Sequence, residues 1–120
     1  MDTRRILLLL RQPPYGSSHA LEALETALVA GVFEQQVSVL FQGDGVWQLV
    51  DDQDGAALGR RTVGKVVKAL PQYDITALFA CAEALAARGL TAADLVLEVG
   101  MIDAAAQQAL IADQDAVVND

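Results

Sequence analysis

Val37-Ser38-Val39-Leu40-Phe41, followed by Gln42-Gly43-Asp44-Gly45-Val46-Trp47-Gln48-Leu49, is the stretch that decides the fold. The first five residues form an unbroken β-prone run, the pattern of a strand buried on both faces of a parallel sheet. Gly43 and Gly45 allow backbone angles that side chains disfavour, so the chain can turn sharply as the strand ends. A tryptophan just past such a turn has a large ring to bury.

Outward from this stretch, strand and helix patterns alternate. Arg4 to Leu10 reads as a first buried strand, and Pro13 and Pro14 in the loop Arg11 to Gly16 exclude helix there. Ser17 or Ser18 can cap a helix whose inner face carries Leu21, Leu24, Leu28 and Val32. A polar loop from Val50 to Gly59 precedes a second helix with Val63, Val66, Val67 and Leu70 on one face, closed by Pro71. Ile75 to Ala80 is expected as the third strand, with Cys81 where it meets a short helix from Ala82 to Arg88. Gly89 then stops that helix. Thr91-Ala92-Ala93-Asp94 has capping-box spacing and precedes an expected fourth strand, Leu95 to Val99. Asp103 caps a last helix, Ala104 to Ala112, and Ala116 to Val118 ends the series. This alternation predicts one domain over residues 1–120. Its fold class is α/β, a three-layer α/β/α sandwich around a five-stranded, mainly parallel sheet.

Composition narrows the function. Hydrophobic residues make up 53% of the chain and charged ones 20%, below the usual share of about a quarter. So few charges cover a small domain poorly, which predicts surface buried against other subunits. The formal charge of −8, from 16 acids and 8 bases, repels phosphate backbones and argues against direct nucleic-acid binding. The apolar run Ile6 to Leu10 is far too short for a membrane span and, behind Arg4 and Arg5, too short for a signal peptide. A single cysteine excludes an internal disulfide and fits a reducing, cytoplasmic setting.

Three features converge where a parallel sheet places its ligands, at the carboxyl ends of the strands: Pro14-Tyr15-Gly16, Gly43-Asp44-Gly45 and Cys81. None completes a catalytic set. The glycines form no phosphate loop, one histidine and one cysteine cannot build a tetrahedral metal shell, and no cofactor is implied. Cys81 is the sharpest chemical candidate. At the first turn of a helix it meets unpaired N–H groups and the positive dipole end, which favour the thiolate that accepts sulfane sulfur. Its neighbours Phe79, Ala80 and Ala82 equally suit a buried cysteine that only packs. His19 reads as an acid or base in a cleft, or as a capping or solvent-facing residue. Trp47 and Tyr15 read as interface anchors or core. Arg61, Lys65 and Lys68 form a stripe for an acidic partner or a solvated face. Asp44 is placed to bond the backbone of its own turn.

The order and spacing of several segments carry a family resemblance. These are Pro14-Tyr15-Gly16, Ala20-Leu21-Glu22-Ala23-Leu24, Val39-Leu40-Phe41, Asp44-Gly45-Val46-Trp47-Gln48-Leu49, Tyr73-Asp74-Ile75, Leu85-Ala86-Ala87-Arg88-Gly89-Leu90 and Asp113-Gln114-Asp115-Ala116-Val117. Together they resemble the TusC/DsrF family of the TusBCD (DsrEFH-like) sulfur-relay complexes. The resemblance implies a DsrE/DsrF-like fold and a heterohexamer with TusB-like and TusD-like sister subunits. It also implies upstream and downstream sulfur-carrier proteins that pass sulfur as a cysteine persulfide. In the Tus branch that sulfur serves 2-thiouridine at the tRNA wobble position; in the Dsr branch it serves dissimilatory sulfur oxidation. The main accepting cysteine is implied to lie in the TusD/DsrE sister, which leaves this subunit non-catalytic and Cys81, in a comparable turn, an auxiliary candidate. A stand-alone flavodoxin-like binder is disfavoured by the missing phosphate-binding glycines.

Overall fold

The structure, a computed structural model, describes residues 4–12, 22, 25, 35–50, 67–73 and 75–119. Five strands form one sheet: β1 (Arg5–Leu10), β2 (Gln36–Phe41), β3 (Ala77–Cys81), β4 (Gly100–Ile102) and β5 (Ala116–Asn119). Their order is β4-β3-β2-β1-β5, and every pairing is parallel. From β1 to β4 the chain steps one strand at a time in one direction. It then returns across the sheet to add β5 beside β1. Right-handed crossovers put connections running in opposite directions on opposite faces, and the helices obey this.

Helix α1 (Ala82–Ala87) packs Ala84 and Leu85 on the face that carries Leu8, Leu10, Val39 and Phe41. Helix α2 (Ala104–Ala112) sets Leu110 and Ile111 on the other face, against Leu7, Leu9 and Leu40. Alternate residues of β1 and β2 therefore serve separate cores, which is why β1 is apolar from Ile6 to Leu10 and β2 is apolar from Val37 to Phe41 except at Ser38. The mixed α/β architecture and the parallel sheet agree with expectation.

Local signals held where the sequence placed them. Asp103 caps α2 by accepting from the Ala106 N–H at 2.9 Å. Gly89 takes the left-handed conformation, φ 68°, after the C-cap Arg88. The Thr91 N–H donates to Asp94 Oδ2 at 2.8 Å. Glu22 and Glu25 are helical and exposed, as outward positions of the first expected helix. The rest of that helix, most of the 50–59 loop and the start of the second expected helix lie outside the described residues.

The expected fourth strand is corrected. Leu95 makes an antiparallel bridge to Val50, and the Val96 N–H donates to the Leu49 carbonyl at 2.7 Å. Leu95, Val96, Leu97 and Val99 then pack partly buried against the core. The chain joins the sheet only at Gly100, beside Phe79. A Cβ at Gly100 would lie 3.1 Å from the Phe79 ring, so the residue without a side chain fits closest to it. The third strand also begins later than expected. Ile75 is buried beneath the 3-10 turn Leu70–Tyr73, and its N–H donates to the Leu70 carbonyl at 3.2 Å.

Candidate functional site

Ligand sites of open parallel sheets lie at the carboxyl edge, between neighbouring strands whose onward connections leave to opposite faces. β3 and β4 are such a pair, because β3 leads to α1 on one face and β4 to α2 on the other. Cys81 and Ile102, the last residues of these strands, are register partners across that switch point.

Cys81 ends β3 and is also the N-cap of α1, with extended angles of φ −67° and ψ 116°. Its Sγ accepts a hydrogen bond from the Ala84 N–H at 3.4 Å, the role that serine or aspartate oxygens usually fill. The residue is half-buried and packs against the core cluster. The thiol thus satisfies one of the free N–H groups that the sequence had offered to a thiolate. What remains is a half-buried cysteine at the β3–β4 switch point.

The sequence reading missed a chain of side-chain amides along the same edge. Arg11 Nε donates to Gln42 Oε1 at 3.3 Å, Gln42 Nε2 donates to Gln107 Oε1 at 2.7 Å, and Gln107 Nε2 donates to the Ile102 carbonyl at 3.1 Å. These bonds tie together the ends of β1, β2 and β4. Gln107 is only 5% exposed, so its amide must be bonded at both ends to be tolerated. The signal was present: Gln107 shares a helix face with Leu110 and Ile111, and a polar residue on an inward face needs an internal partner.

The glycine turn is a 3-10 helix, Gly43–Leu49. Gly43 has φ 51°, and a Cβ on Gly45 would collide with the Leu10 carbonyl oxygen. The turn is therefore pressed onto the backbone at the end of β1, and Gln48 reinforces it by donating from Nε2 to the Gln12 carbonyl at 2.9 Å. Val46 and Leu49 are fully buried, whereas Trp47 is half-buried. Asp44 does not close its own turn as expected. Its carboxylate pairs with Arg88 at 2.9 Å, while the second guanidinium nitrogen donates to the Ala84 carbonyl at 3.0 Å. A cation on the neighbouring helix outcompetes a local Asx bond.

Of the other candidates, Lys68 is exposed; Tyr15, His19, Arg61 and Lys65 lie outside the described residues. Among the described residues no cluster of potential metal ligands occurs, and no helix is long and apolar enough to cross a membrane.

A family model described as DsrE/DsrF-like matches residues 4–119. The chain belongs to the DsrE/DsrF-like family. Within it, the chain is 39% identical over 93 residues to the intracellular sulfur oxidation protein DsrF of Allochromatium vinosum, covering 78% of this chain and 68% of that protein. It is 34% identical to a TusC homologue of Pseudomonas aeruginosa over 116 residues, 97% of this chain and 98% of the relative. A TusC homologue of Vibrio parahaemolyticus is 35% identical over 94 residues, 78% of this chain and 80% of the relative. Among solved structures, the ychN protein of E. coli superposes with a TM-score of 0.80, covering 98% of this chain and all of that one. At 16% identity that likeness establishes the fold alone. These relatives place the DsrE/DsrF-like chain among sulfur-relay family members.

Proposed function

We propose that this DsrE/DsrF-like chain is a non-catalytic subunit of a heterohexameric sulfurtransferase complex that relays persulfide sulfur toward 2-thiouridine at the tRNA wobble position. The observation that carries this reading is the near end-to-end similarity to a TusC homologue, 97% of this chain against 98% of the relative. The capping bond of Cys81 supports a structural role for the one cysteine. A net charge of −8 suits a subunit of a complex that passes sulfur to other proteins and does not itself touch the tRNA. Its sister subunits are TusB-like and TusD-like, its setting is the cytoplasm, and its own contribution is to shape and support the sister's persulfide site.

Nucleoside mass spectrometry of tRNA tests the reading. Deleting the chain should abolish wobble 2-thiouridine, and restoring it with a Cys81→Ala variant should bring the modification back. Unchanged 2-thiouridine after deletion would contradict the Tus assignment. Loss of sulfur oxidation in that strain would then place the chain in the Dsr version, which the likeness to DsrF supports.

A second reading follows from the position of Cys81 at the β3–β4 switch point. There its thiolate attacks the terminal sulfur of a donor persulfide, the donor S–S bond breaks, and the donor leaves as a thiolate while Cys81 becomes the persulfide. A mass gain of one sulfur atom on the Cys81 peptide after treatment with a persulfide donor supports this; an unmodified peptide in a complex that still turns over excludes it.

A further inference from the structure

We draw no further inference here: the strongest candidate, the side-chain cluster of Arg11, Gln42 and Gln107 at the carboxyl edge of the sheet, belongs to the site already described, and its bonds run between its own members and the Ile102 carbonyl, so it points to no ligand.

Discussion

One face of the sheet supports a cluster of fourteen buried residues among those described, reaching from Leu8 through Val46 and Leu70 to Leu85. The opposite face supports three: Leu7, Leu9 and Leu40. Both faces are built from the same strands, so the contrast lies in what covers them. The first is closed by α1, the 3-10 turn Gly43–Leu49 and the Leu95–Val99 segment, whereas α2 alone lies on the second among the described residues. The filled face carries most of the described core, and the second carries little of it.

The most severe disruption is expected at the turn that closes the filled face. Gly45→Val would drive a side chain into the Leu10 carbonyl, because the space where a Cβ would sit is already taken by that oxygen. It should cost about 4 kcal/mol, seen as a large drop in urea midpoint or loss of soluble protein; a near-native midpoint would show that the turn does not press on β1.

A matched pair of truncations sets one face against the other. Leu8→Ala on the filled face, where Leu8 is 1% exposed, should destabilise by about 3 kcal/mol. Leu110→Ala on α2, half-buried on the other face, should cost the isolated chain about 1 kcal/mol. Equal losses in the two variants would mean that the faces are packed alike.

Gln107→Leu removes the link between Gln42 and the Ile102 carbonyl and leaves two polar groups short of partners. A loss of about 2 kcal/mol is expected, with faster hydrogen exchange at the ends of β2 and β4 and little change at β5. The smallest effect belongs to Asp44→Asn. Its pair with Arg88 has a 58% exposed carboxylate, and solvent screening limits the change to less than about 0.5 kcal/mol. A larger shift in the thermal midpoint would give that ion pair an organising role at the edge.

Most of this architecture was legible because buried parallel strands, caps and glycine stops leave local marks. Asp103, Gly89 and the Thr91–Asp94 box act through residues within one turn of themselves, and each was readable from spacing. Leu95–Val99 misled because an apolar run of strand length does not reveal which neighbour will cover it; here Leu49 and Val50 claimed it before the sheet could. The candidate site was legible only in part. Cys81 and the glycine turn stood out by residue type. The Arg11–Gln42–Gln107 chain joins positions far apart in sequence, and only the fold brings them together. The pairing of Asp44 with Arg88 is invisible for the same reason.

Whether the chain serves as a subunit is decided by native mass spectrometry of the protein purified with its co-expressed sisters. The expected species is a heterohexamer holding two copies of this chain with two of each sister. A chain that leaves the column as a free monomer, with the sisters assembled without it, would contradict the subunit role.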